Sequence, residues 1–528
     1  MSKPSRPYVR DLQFRGVVEG LTYLDDESNP LCHYFGGIPF GLPPVGLFRF
    51  QKPRALPTCY RYGTKSQPGR FVGSAGLCPQ AARDDALWDE DCLQSNIWVP
   101  TETPPDGGWP VLFFIHGGFL QAGSPNTLDL RAFLSDSPTR CIVVAPAYRL
   151  NVLGFLAAPE LLAACPDFTT NLGFWDQRLA LQWTWENVSY FGGNPANISV
   201  GGYSAGAHSA FHQLAFDLAV PDDKAIIKRL LMLSNGPGIT PRSPAESQAQ
   251  FTSLLSALHI PPTLPPGEKL ALLRALPAKS LLAAVSKIPA HQFRAVPDSS
   301  FLPPSLLPSL TTPAFASALL ARGIKILLGS CTAEHALYAT HHPPPPGRPA
   351  LAARLEADYP PSAAAALLAH HVPTDALPSE YRSWTDAFAR VYAAAQIHVP
   401  QSALAAGLSR HGAAHLLYRY RIGWRAGCVD ARVPRAMGVT HTTDLALWFW
   451  GNGEGEGLTG AEKGVVREAV QRPLKAFLEG GEVGWGAPEG WVRVLRGDGS
   501  VGVEEDKGGE GWRALWGEVG GGAAAAKL

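Results

Sequence analysis

The sequence predicts an α/β fold: a mainly parallel, doubly wound sheet flanked by helices. Three observations carry this. Residues 111–115 (Val-Leu-Phe-Phe-Ile) form a continuous apolar run, as expected of a strand covered on both faces. Residues 142–147 form a second such run. Residues 198–200 lead into Gly202-Tyr203-Ser204-Ala205-Gly206 and then into helix-forming residues. Buried strands alternating with helices give a parallel sheet with crossover connections.

In chain order, residues 14–24 and 32–40 read as N-terminal strands, and 1–13 as a tail preceding them. Gly41-Leu42-Pro43-Pro44-Val45-Gly46 follows as a Pro-rich loop, because proline removes the donors a helix needs. The apolar spacing of Phe174, Leu179, Leu181 and Trp183 fits a helix over 174–187. From about 240 to 410 the texture becomes Ala/Leu/Pro-rich, predicting helical insertions over the sheet, interrupted by one strand at 324–328. A strand at 415–420, a helix at about 462–479 and a strand at 491–496 complete the expected unit. One domain is thus expected over 14–515, with residues 516–528 as a disordered tail.

Composition sets broad limits. The chain has 528 residues, 46% of them hydrophobic, enough for a large core. Its formal net charge is zero with no long Lys/Arg run, which argues against nucleic acid and anionic membrane surfaces as partners. No uninterrupted apolar segment is long enough to span a bilayer, and no apolar leader follows Met1, so an intracellular protein is expected. The eight cysteines lack C-x-x-C pairs or neighbouring histidines, arguing against a metal site. Cys78 and Cys92 are close enough in sequence to close a short loop; a reducing compartment would keep them open.

Gly36-Gly37-Ile38-Pro39-Phe40, Pro43-Pro44-Val45-Gly46, Arg49-Phe50, Glu90-Asp91-Cys92-Leu93 and Asn96-Ile97 resemble the N-terminal blocks of type-B carboxylesterases and lipases, the family that includes cholinesterases. The run Asn171, Gly173, Asp176-Gln177, Ala180-Leu181, Trp183, Asn187, Phe191-Gly192-Gly193, Pro195 and the Gly-x-Ser-x-Gly turn is similar throughout. The resemblance extends from about residue 14 to about 480. It implies the α/β-hydrolase fold, a triad in the chain order Ser, acid, His, and no cofactor.

A serine hydroxyl becomes nucleophilic when a neutral imidazole takes its proton and a fixed carboxylate steadies the imidazolium. Ser204, on the sharp turn, is the nucleophile candidate. Glu334, in Gly-Ser-Cys-Thr-Ala-Glu after a buried strand, matches the family block that carries the acid, and His441, in Gly-Val-Thr-His with Asp444 close behind, matches the histidine loop. The family commonly has three glycines and an aromatic after the strand at 111–115; here the order is Gly117-Gly118-Phe119-Leu120. The oxyanion-hole donors by position are the N–H groups of Gly118, Phe119 and Ala205. Phe119 requires an allowed φ for a residue with a Cβ and narrows the acyl pocket. His208 lies near the turn at a position the family pattern does not use. Ser209, Ser234, Arg149 and Asp176 match framework positions.

The resemblance implies a metal-free serine hydrolase acting on small-molecule carboxylic esters. A thioesterase, lactonase or acyltransferase would use the same residues, and a non-catalytic binding homologue is the reading from another class. Tyr203 replaces a glutamate common in the family beside the nucleophile, which removes an attraction for cationic esters. The C-terminal Ala526-Lys527-Leu528 is similar to the Ser-Lys-Leu peroxisomal address, so cytoplasm and peroxisome are both expected. Substrate identity and oligomeric state are not readable.

Overall fold

A computed structural model describes residues 4–81, 83–485, 490–506 and 509–520. The strands of its main sheet are β1 (Ser5–Asp11), β2 (Val17–Leu24), β3 (Pro30–Pro39), β4 (Gln94–Val99), β5 (Trp109–Ile115), β6 (Ile142–Pro146), β7 (Gly193–Tyr203), β8 (Ile227–Leu233), β9 (Lys325–Cys331), β10 (Leu417–Ile422), β11 (Trp491–Leu495) and β12 (Val501–Glu505). They form one sheet in the order β1-β2-β3-β4-β6-β5-β7-β8-β9-β10-β11-β12, with the short Gly69–Arg70 segment beside β2. Every pair from β6 to β11 is parallel, and antiparallel ribbons close both ends. This is the mainly parallel α/β sheet expected from the sequence.

The continuous apolar run of β5 has a direct explanation. Val111, Phe113 and Ile115 enter the core on one face of the sheet, while Leu112 and Phe114 enter the core on the other. Successive strand side chains point to opposite faces, so a strand covered twice has no polar positions to spare. Truncating one of these side chains to alanine costs about 2–5 kcal/mol.

Three departures from the sequence reading stand out. Within the tail expected over 1–13, residues 5–11 form a strand instead: β1 pairs antiparallel with β2 from Ser5↔Tyr23 to Asp11↔Val17. Its side chains are mostly exposed, so hydropathy carries no signal and the backbone ladder does the holding; Tyr8 stacks on His33 at 3.6 Å, and Arg10 Nε donates to Tyr190 O at 2.6 Å. The tail expected over 516–528 starts too early, since a helix covers Gly509–Val519 and buries Leu515, Trp516 and Val519 in the main core. Residues 521–528, with Ala526-Lys527-Leu528, lie outside the described residues. Finally, β8 sits in mid-sheet where no strand was expected.

Helices cover the insertion from Pro244–Ala257 through Val399–Arg410. Among the described residues, no helix is long and apolar enough to cross a membrane. Cys78 and Cys92 are bonded, with Cα atoms 5.2 Å apart.

Candidate active site

The candidate residues gather beyond the carboxyl ends of the central parallel strands, where open α/β sheets bind ligands. β5 leads into Gly117–Phe119, β7 into Ser204, and β9 into Glu334; His441 follows β10 after a longer excursion.

Ser204 stands at φ 53°, ψ −131°, between the last residue of β7 and the helix Ala205–Ala219. That backbone is rarely populated by a residue with a Cβ and costs of order 1–3 kcal/mol. The flanking glycines make the turn sterically feasible. A Cβ on Gly206 would lie 2.0 Å from Ile115 O, and one on Gly202 would lie 2.3 Å from the Gly206 carbonyl carbon. Ser204 N donates to Leu233 O at 2.8 Å, tying the turn to β8.

Glu334 and His441 are both buried and meet at 2.6 Å, His441 Nδ1 to Glu334 Oε2. The other carboxylate oxygen accepts the Cys331 N–H at 2.7 Å. Burial works against a charge on Glu334, but the adjacent His441 and these hydrogen bonds outweigh it and hold the carboxyl below its ordinary range. An ionised carboxylate only accepts, so Nδ1 carries the hydrogen and Nε2 presents a lone pair. Nε2 is buried and has no hydrogen-bond partner among the described residues. Of the two links expected from the sequence, imidazole to carboxylate is formed, whereas no hydrogen bond joins Ser204 Oγ to the ring.

The loop after β5 turns through consecutive left-handed residues, Phe119 at φ 61° and Leu120 at φ 65°. Gly118, at φ 113°, could not be replaced, because its Cβ would lie 2.0 Å from Ala122 O. Among the described residues, the N–H groups of Gly118, Phe119 and Ala205 have no acceptor within the protein. The Phe119 ring stacks on His341 at 4.0 Å and packs edgewise on Tyr338, which in turn lies 5.2 Å from the His441 ring.

Several residues support this arrangement, of which Gln80 and Tyr148 escaped the sequence. Gln80 Nε2 donates to Gly123 O at 3.0 Å and its Oε1 accepts the Gly123 N–H at 2.8 Å, clamping the loop that holds Gly118 and Phe119. Tyr148 Oη donates to His116 O at 2.9 Å. The Cys78–Cys92 bond secures the segment that carries Gln80. Asp444 is buried behind the site, accepting from Trp448 Nε1 at 3.1 Å and Tyr420 Oη at 3.3 Å. Burial, then the charge of Glu334, push its carboxyl up to about 6. Gln80 carries no periodicity or motif of its own and is identified only by its place beside the loop in space, whereas Asp444 belongs to the histidine-loop block read from the sequence.

The framework residues behave as expected. Arg149 grips Asp176 through Nε and Nη2 at 2.8 and 2.7 Å, both side chains buried. Ser209 Oγ accepts from Gln177 Nε2 at 3.2 Å. Ser234, buried at φ 56°, follows β8 beside the site. His208 sits one turn along the helix from Ser204, with Nδ1 3.3 Å from Gly236 O, away from the Glu334–His441 pair. Tyr203 stacks on Phe114 at 6.3 Å.

Comparison with known proteins places the chain in a family. A family model described as "Carboxylesterase family" matches residues 7–482. A carboxylic ester hydrolase of Gibberella moniliformis is 42% identical over 524 residues, covering 96% of this chain and 95% of that protein. An uncharacterised esterase/lipase of Schizosaccharomyces pombe is 36% identical, covering 95% of each. The crystal structure of a carboxylesterase from Geobacillus stearothermophilus superposes with a TM-score of 0.73 at 25% identity, covering 96% of this chain and 99% of that one. With its α/β-hydrolase fold, the chain belongs to the carboxylesterase family and is a carboxylic ester hydrolase.

Proposed function

We propose that the protein cleaves carboxylic esters through an acyl-enzyme on Ser204, with His441 as general base and acid and Glu334 as its orienting carboxylate. The observation that carries this is the buried 2.6 Å contact from His441 Nδ1 to Glu334 Oε2, which leaves Nε2 as an unpartnered base.

In the first half-reaction Nε2 takes the Ser204 proton as Oγ attacks the ester carbonyl. The tetrahedral oxygen accepts from the N–H groups of Gly118, Phe119 and Ala205, each worth about 10²–10³ in rate. The intermediate collapses, the C–O bond to the alcohol breaks, and His441 gives its proton to the departing alkoxide. Water then attacks the acyl-enzyme, losing a proton to Nε2; the acid leaves and Ser204 regains its hydrogen. Glu334 stays ionised throughout and stabilises the imidazolium. The Ser204–His441 hydrogen bond belongs to the substrate complex, since catalytic contacts tighten when substrate binds. Ser204→Ala should abolish turnover of p-nitrophenyl butyrate; retained turnover would reject the reading.

A further inference from the structure

Next to the helix that follows Ser204 is a cavity of about 530 Å³, whose lining includes Leu120, His208, Gly238, Pro303 and Leu307. Its size is that of a small-molecule site. Most of the wall is apolar, but two arginines line it, Arg242 and Arg294.

Arg294 is placed unusually. Its Nε and Nη2 donate to Asp358 Oδ1 at 3.2 and 2.7 Å, and Nη2 also donates to Tyr392 Oη at 3.1 Å. Nη1 makes no hydrogen bond among the described residues. The side chain keeps 22% of its surface accessible while its partner Asp358 keeps none. A guanidinium presents a planar fork suited to carboxylates, and here one arm of the fork is free.

The charge balance around the cavity favours an anion. Asp358 is claimed on its second oxygen by Arg354. The other lining carboxylate, Asp298, is saturated: Oδ1 accepts the N–H groups of Ser300, Phe301 and Leu302, and Oδ2 accepts from Thr170 and Asn171. The two lining guanidiniums thus meet two carboxylates that are already fully bonded, one of them shared with a third guanidinium, Arg354, outside the lining. His208 adds no charge of either sign, because burial and then Arg294 itself push its imidazole down to about 4. Arg294 is also tied to the candidate triad by a short chain of contacts. Tyr392, which it bonds, lies 5.1 Å from Tyr338 between ring centroids, and Tyr338 lies 5.2 Å from His441.

We propose that the cavity selects esters bearing a free carboxylate, the apolar body lying along the Leu/Pro wall and the carboxylate received by Arg294. The inference rests on the Ser204 reading above and takes this cavity, lined by Leu120 of the loop after β5 and by His208 of the helix after Ser204, as the substrate pocket of that site. The anion is carried on either the acyl side, as in a half-ester of a dicarboxylic acid, or the alcohol side, as in an ester of a hydroxy acid.

The test uses matched pairs on purified full-length protein. On the acyl side, the p-nitrophenyl half-ester of octanedioic acid is compared with the same ester whose distal carboxylate is a primary amide. On the alcohol side, 6-butanoyloxyhexanoate is compared with its primary amide. The readout is the ratio of kcat/KM, anionic over amide, so the amount of folded enzyme cancels. The wild-type ratio should be tenfold or more on one side, which also identifies where the anion sits. Arg294→Met should lower it at least tenfold, and Arg294→Lys should keep more of it than Met does. In Arg294→Met the buried Asp358 keeps Arg354 as its partner, so no lone carboxylate is left buried. Wild-type ratios at or below one on both sides overturn the inference, as does a preference that survives every removal of Arg294. If the amides are hydrolysed and Ser204→Ala hydrolyses neither, the triad reading stands whatever the ratio.

Discussion

His441 Nδ1 lies 2.6 Å from Glu334 Oε2, and neither side chain reaches solvent. Removing the negative charge without changing the shape isolates what that carboxylate does. In Glu334→Gln the side chain can present an N–H to Nδ1 and so favour the wrong tautomer. We expect kcat to fall by about 10²–10⁴, with KM for p-nitrophenyl butyrate little changed. A loss confined to KM would place Glu334 in substrate binding.

Asp444 supplies a pH-dependent test. Its carboxyl sits at about 6 in the folded protein, above the unfolded value of about 4. The folded state therefore holds the proton more tightly, and stability declines as pH rises from about 4 to about 6. Two units correspond to roughly 2–3 kcal/mol, all of it felt above pH 6. Asp444→Asn can still accept from Trp448 and Tyr420 and should be more stable than wild type at pH 8, with the advantage shrinking towards pH 5. Urea melts at the two pH values decide; an Asn variant less stable at pH 8 would contradict the assignment.

The fold's main features were legible because both faces of the central strands are covered. Val111 to Ile115 could not be read as anything but buried, and the two glycines around Ser204 left little choice but a sharp turn. Strand β8 was hidden because Lys228 and Arg229 interrupt its apolar run. Arg229 Nη1 in fact donates to Asn197 Oδ1 at the entry end of the sheet, beyond the core. β1 was hidden for the opposite reason, having no apolar face at all. The chain order of Ser204, Glu334 and His441, and the place of Asp444 behind the histidine, came from motif resemblance, whereas Gln80 and the Arg294–Asp358 pair are brought together only by folding.

The clamp on the oxyanion loop should be measurable. The Cys78–Cys92 bond closes a loop of sequence separation 14, worth about 3 kcal/mol in the chain-entropy account. Cys78→Ser/Cys92→Ser should lower the urea stability by about that much. Gln80→Ala, which removes both bonds to Gly123 but leaves the disulfide, should lower kcat more than it lowers stability. Equal proportional losses in the two variants would mean that Gln80 is structural only.

Phe119 has been given a strained backbone and a ring packed on His341. Phe119→Ala keeps the N–H donor while emptying that space. We expect the kcat/KM ratio of p-nitrophenyl pivalate to acetate to rise several-fold. An unchanged ratio would show that the ring does not bound the acyl group.

The central claim is that one hydroxyl, that of Ser204, becomes the acyl carrier. Reacting the protein with a fluorophosphonate and mapping the adduct by peptide mass spectrometry tests it most directly. The account predicts a single modified residue, Ser204, formed in wild type and slowed strongly in His441→Ala. Modification elsewhere, for example at Ser209, or labelling of Ser204 that proceeds as fast without His441, would contradict it.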